Sequence, residues 1–314
     1  MNSLLFSLNA TVPIFAAIFI SWCFKRRGLL PDSFIAGADR FTFQILLPLL
    51  LFRDIAAGRV SEQFDLRFFL LCMAMTTVAF FGIWLGAELF LRDKSMIGAF
   101  TQGAFRSSLA IFGIAFAQNI YGNAGLIPLM IVAVVPLFNI YSVIVLTVRA
   151  PQRARGTGAI RACLRGIVTN PLIIGILAGL PFSLFEISFP VAVSKTINYF
   201  ASMATPLALV TIGAGFEGRS ALRKLRCAVA ASMIKLLVLP AVFLTLGYVM
   251  GFRGPALVAL LVMLGTPSTV TCYLMAKNMD GDAVLSSSIV VLTTALSSVT
   301  LTAFIAVLRT LGAI

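Results

Sequence analysis

Arg106, Ser107 and Ser108 stand deep inside an apolar run, GAFTQGAFRSSLAIFGIAFAQ (98–118), with Gln102, Gly103 and Gly113 beside them. A guanidinium at that depth in lipid costs about 3 kcal/mol on insertion scales and more in simulations. Two uses can offset the cost. The arginine can bond the carbonyls of a broken helix, or it can serve as an anion-binding or gating charge. The general behaviour of intramembrane ionisable residues favours the second. A matching cluster, GTPSTVT (265–271), interrupts LVALLVMLGTPSTVTCYLMA (257–276). Pro267 removes a backbone donor and Gly265 loosens the helix. The freed groups must then find partners in protein or in a water-filled cavity. Thr266, Ser268, Thr269 and Thr271 can supply those partners or hold a ligand. A hydroxyl-eased kink and a binding site fit this cluster equally well.

The remaining polar residues narrow the chemistry. Lys235 is a second cation within an apolar run, nearer the run's inside end, where snorkelling competes with burial. Asn139 lines a cavity or ties helices together; Gln44 is open between roles. Asn170, before Pro171, reads as a helix cap, and Ser286, Ser287 and Ser288 as small residues for close helix approach. No span places Asp or Glu at its centre, and Glu88 falls near a span end. Beside two buried cations, that points to an anionic substrate. Sodium coupling through carbonyls and hydroxyls stays open. There is no histidine, the five cysteines are scattered, and no GxxxxGK[ST] occurs. A zinc site, a disulfide framework, a nucleophile–base enzyme and an ATP cradle are therefore not expected.

These residues need membrane-spanning elements to position them. Of 314 residues, 60% are apolar and 11% charged, and the mean hydropathy is +1.03. Several runs approach the ~20 residues that cross a hydrocarbon core of roughly 30 Å. Ten spans are predicted, at 10–24, 41–57, 66–90, 95–119, 125–147, 167–185, 197–216, 227–250, 255–277 and 284–308. No positive side chain precedes the first, and Lys25-Arg26-Arg27 follows it, which reads as an uncleaved span with its N-terminus outside. With both ends outside, the inside loops hold sixteen Lys and Arg and the outside segments six, as the positive-inside rule asks. The +13 net charge thus reports topology, not nucleic-acid binding. RAPQRARGTGAIRACLRG (149–166) becomes a basic cytoplasmic hinge between halves.

Pro13 and Pro48 are 35 residues apart, and so are Pro171 and Pro206, 158 residues later. Each pair falls in the first two spans of a half. An odd number of spans per half inverts one half relative to the other, an architecture in which transporters bind substrate near the midplane at discontinuous helices. The expected fold is all-α and polytopic: two inverted five-helix repeats, 1–148 and 167–314, with the interrupted spans four and nine as counterparts.

Taken over nearly its whole length, the chain resembles the auxin efflux carrier family, which includes plant PIN carriers and bacterial malonate- or malate-type permeases. The likeness is carried by residues 251–298, with the broken helix around Pro267, the pair Ala276-Lys277, a short acidic turn and a serine-rich last span. QILLPLLLFRDIA (44–56), TNPLIIGILAG (169–179) and PLALVTIGAGF (206–216) are also similar. The resemblance implies that broken spans four and nine cross. It implies a scaffold of spans one, two, six and seven, with Gln44, Pro48 and Pro206 on its side, and a transport unit that moves as an elevator. The substrate region it implies holds Arg106, Ser107, Ser108, Gly113, Gly265, Thr266, Pro267, Ser268 and Thr269, with Asn139 beside the crossing. Members often carry Asn and Pro where this chain has Ser108 and Ala115. Span four is therefore expected to break less sharply. The reading is a secondary carrier for a mono- or dicarboxylate in the plasma or bacterial inner membrane. No cofactor is called for, H+ or Na+ is the candidate coupling ion, and a scaffold-mediated homodimer is compatible with the family. The alternatives are a sodium-coupled carrier of the bile-acid type and a non-transporting sensor.

Overall fold

The computed structural model describes residues 2–57, 64–109, 125–149, 164–216 and 218–314. The described chain is helical throughout. Helix α1 covers Asn2–Arg26; α2, Asp32–Phe41, runs through a π-turn at Thr42–Leu46 into α3, Leu47–Ala56. There follow α4 (Leu66–Phe90), α5 (Ile97–Phe105), α6 (Ile127–Val148), α7 (Pro171–Leu184) and α8 (Val191–Ala214). A short α9 (Gly218–Arg223) leads to α10 (Leu225–Met233), joined by a π-turn at Ile234–Val238 to α11 (Leu239–Val249). Helices α12 (Pro255–Gly265), α13 (Thr271–Asn278) and α14 (Ala283–Thr310) complete the chain. Six helical stretches among the described residues are long and apolar enough to cross a membrane: 32–56, 66–90, 127–148, 191–214, 225–249 and 283–310. This is an all-α, multi-spanning membrane protein.

Local chemistry sets the boundaries. Asp65 caps α4 by accepting from the Phe68 amide at 3.0 Å, and Asn170 caps α7 from Leu172 N at 3.0 Å, the role expected of it. The second span starts nine residues before its predicted Thr/Phe boundary at 41, because Pro31 and then Asp32 open a helix whose first turns are amphipathic rather than greasy. Both π-turns precede a proline, Pro48 or Pro240. Each proline lacks the N–H that would bond the carbonyl four residues back, so the ladder widens to the five-residue spacing, Leu47 N to Thr42 O and Leu239 N to Ile234 O.

Helices α1, α2–α3, α7 and α8 pack on one another. Two glycines make that possible. A Cβ at Gly175 would collide with the Pro48 carbonyl, and one at Gly213 with the Ile18 carbonyl, so these helices touch backbone to backbone. Helices α4, α5 and α6 form a second packed group, with α10–α11, α12, α13 and α14. At its centre every residue of α5, and every residue of α12 after Pro255, is buried. Phe80 of α4 stacks on Tyr141 of α6, centroids 4.5 Å apart, and meets Phe105 edge-on at 5.2 Å. That cluster fixes the end of α5, where Arg106 follows.

Candidate functional site

Two helices end in the same way. After Phe105 the backbone turns extended at Arg106 (φ −75°, ψ 149°), and after Gly265 it does so at Thr266 (φ −71°, ψ 155°). The ninth predicted span, 255–277, is thus two helices, α12 and α13, separated by residues 266–270. The two breaks meet. Ser108 N donates to Pro267 O at 2.9 Å. The Ser107 hydroxyl donates to the carbonyl of Met263, and the Ser268 hydroxyl to that of Gly103. Each serine therefore satisfies a carbonyl that the other helix leaves without a partner at its last turn. Gln102 Nε2 bonds Cys272 O at 2.9 Å, and Thr293 of α14 receives Ser268 N at 3.1 Å. Thr266 bonds back to Val262 O at 2.8 Å. The hydroxyls of Ser107, Thr266 and Ser268 thus serve the broken backbone itself.

The two cations divide the work. Lys235, fully buried in the π-turn, does not snorkel: its ammonium donates to Leu264 O at 2.6 Å and to the Ser107 hydroxyl. A cation at the carbonyl end of α12 is favoured by the helix dipole. Arg106, 3% exposed, donates through one terminal nitrogen to Ser142 Oγ (3.1 Å) and Met275 Sδ (2.8 Å), and through the other to Asn139 Oδ1 (3.2 Å). Its Nε has no partner among the described residues. Among the described residues neither cation forms an ion pair. A buried charge held only by neutral groups retains unmet attraction for an anion.

That attraction faces a cavity of about 60 Å³, lined by Arg106, Ser108, Asn139, Thr269, Thr271 and, from α3 and α8, Asp54 and Thr205. The crossing thus brings together Arg106, Ser107, Ser108, Asn139, Gly265, Thr266, Pro267, Ser268 and Thr269. Gly113 lies outside the described residues. Gln44 is exposed in the first π-turn, Pro48 abuts Gly175, and Pro206 is exposed within α8, one residue from the cavity wall at Thr205. Sequence reasoning passed over Asp54, and it left Lys235 undecided. The charged pair Arg53-Asp54 ending an otherwise apolar run was the available signal for Asp54, and the proline after Lys235 for its π-turn. Asp54 is held by Arg53 at 2.8 Å, and Arg53 in turn by Asn198 of α8 at 2.8 Å.

The family described as membrane transport protein matches residues 6–305. An uncharacterized transporter of Methanothermobacter thermautotrophicus is 22% identical over 299 residues, covering 94% of this chain and 96% of that protein. One of Methanocaldococcus jannaschii is 22% identical over 299 residues, at 92% and 95% coverage. A Rhizobium meliloti protein whose name proposes it as a malonate transporter is 23% identical over 306 residues, at 95% and 94% coverage. With two broken helices bonded to each other around a buried arginine, and a match over nearly its full length, the chain belongs to the membrane transport protein family, a family of transporters rather than of enzymes.

Proposed function

We propose that this chain is a secondary carrier for a small organic anion, a mono- or dicarboxylate such as malonate. The observation that carries the reading is Arg106: buried, bonded only to neutral groups, and facing the cavity at the crossing. A carboxylate there meets the guanidinium, while Ser108, Thr269 and Asn139 offer groups to orient it. The cavity has room for a few water molecules, well below the roughly 300 Å³ of ordinary ligand pockets. Substrate entry therefore requires α3 and α8 to part from the crossing. The matched pair of breaks supports two inverted five-helix repeats, and the backbone-tight packing of α1, α3, α7 and α8 supports a fixed scaffold against which the second group moves as an elevator. The charge distribution supports an orientation with both termini outside.

The test is counterflow in proteoliposomes preloaded with malonate, malate, succinate or indole-acetate, with and without sodium. Saturable exchange of one anion, abolished in Arg106→Ala protein that remains monodisperse, is the expected result. Exchange at unchanged affinity in Arg106→Ala overturns the assignment of the site, and sodium dependence identifies the coupling ion.

A further inference from the structure

A second cavity lies away from the crossing. It is a groove of about 570 Å³ on the flank, between α4 and the continuous α10–α11 helix, floored by Phe100 of α5. Gly82 and Gly86 lie on one face of α4, one turn apart, and no atom stands within 4 Å of where a Cβ would project from either. Across from them Ala230 and Val242 form the other wall. Among the described residues the lining side chains are apolar except Arg226, at the end where α4 finishes with Phe90.

Arg226 is exposed and has no carboxylate partner among the described residues. Three acidic groups of that end are engaged elsewhere. Asp282 pairs with Lys224, Glu88 with Arg149, and Asp93 accepts from the Ser95 amide and hydroxyl, which holds its carboxyl below the usual carboxylate range. Along α4 the groove runs from Phe90 to Val78, twelve residues or about 18 Å at 1.5 Å per residue. One leaflet of a ~30 Å hydrocarbon core is about 15 Å deep. The groove is therefore one leaflet long, apolar along its length, and positively charged at its mouth.

We propose that this groove is a binding site for one acyl chain of an anionic phospholipid, whose phosphate is held by the Arg226 guanidinium. The planar fork of arginine suits a phosphate, and basic pockets between membrane helices select anionic headgroups. The chain would lie against Ile234, the residue before Lys235, so the lipid would brace the π-turn that secures the break in α12.

Native mass spectrometry of the detergent-purified protein tests this, and its readout is lipid retention, independent of any transported solute. Phosphatidylglycerol and phosphatidylcholine of identical chains are titrated in parallel. Phosphatidylglycerol is expected to be retained at least fivefold better. Arg226→Gln should bring it down to the phosphatidylcholine level, whereas Arg309→Gln, at the far end of α14, should change nothing. Gly86→Leu fills open space, so it should fold normally and lower retention of both lipids. Glycerol phosphate, a headgroup without chains, should not compete. Equal retention of the two lipids, a preference that survives Arg226→Gln, or full competition by glycerol phosphate would each overturn the proposal.

Discussion

Replacing Asp39 by Asn should shift the protein between its transport conformations. Asp39 lies on α2, and its carboxylate pairs with the ammonium of Lys277 at the end of α13. The pair thus joins the group that contains α3, α7 and α8 to the helix that leaves the second break. The Asp39 side chain is 4% exposed and that of Lys277 34%, and among the described residues neither Asp39 oxygen has a hydrogen bond to anything else. Exposed pairs contribute roughly 0–1 kcal/mol, and removing one partner of a fully buried pair costs about 3–5 kcal/mol. Lys277 keeps contact with water and bonds Tyr273 Oη at 3.0 Å, so the pair falls between those limits, at about 2 kcal/mol. If α13 moves past α2 during transport, the pair is intact in this conformation and broken in the other. Its loss then shifts the equilibrium away from this conformation by roughly 30-fold. Electron paramagnetic resonance distances between spin labels on α2 and α13, in Asp39→Asn and parent protein, read the populations directly. The charge swap Asp39→Lys with Lys277→Asp should restore the parental distribution. Unchanged distances in Asp39→Asn would refute the idea that the two groups slide past each other at this contact.

Other expectations concern the crossing. Arg106→Lys keeps the charge but cannot reach Asn139 and Ser142 at once, so substrate affinity in a binding titration should fall about tenfold, roughly 1.4 kcal/mol. Asp54→Asn removes a carboxylate from the cavity wall and should tighten binding by about 1 kcal/mol for a dianion, with half that gain for a monoanion. Equal gains for both would remove Asp54 from the site. Ser268→Ala strands the buried Gly103 carbonyl, and Ser107→Ala leaves the Met263 carbonyl only the long 3.5 Å bond from Lys235; each should cost about 1–3 kcal/mol, read as similar losses of thermal stability. A loss in only one of them would show that the two breaks are not equivalent.

Composition and periodicity located most of these elements because a lipid-facing helix must be apolar for its whole length. The span at 66–90 coincides with α4, and GTPSTVT does mark a break. Helix starts that mix charge with apolar residues were harder. Asp32, Asp39 and Arg40 made 32–41 look like a loop, and the polar first turns of α8 hid the start of that helix at Val191. The division of labour within the two clusters was not readable locally. Ser107 and Ser108 are neighbours of the same type and both line the cavity, yet Ser107 bonds Met263 through its hydroxyl and Ser108 bonds Pro267 through its backbone amide. Such roles are set by partners roughly 160 residues away. The same applies to Lys235, whose burial depends on where the end of α12 comes to rest.

The reciprocal bonding of the two breaks also bears on how the chain is made. Gly103 waits for its serine, since Ser268 leaves the ribosome 165 residues after it. At roughly 5–20 residues per second that interval is about 8–30 s. Throughout it, α5 has an end that lipid cannot satisfy, since hydrocarbon offers no donors to free carbonyls. The helices before α12 therefore do not form an autonomous folding unit in the bilayer. They have to remain beside water or the insertion machinery until α12 arrives, and only then can both breaks close in a single step.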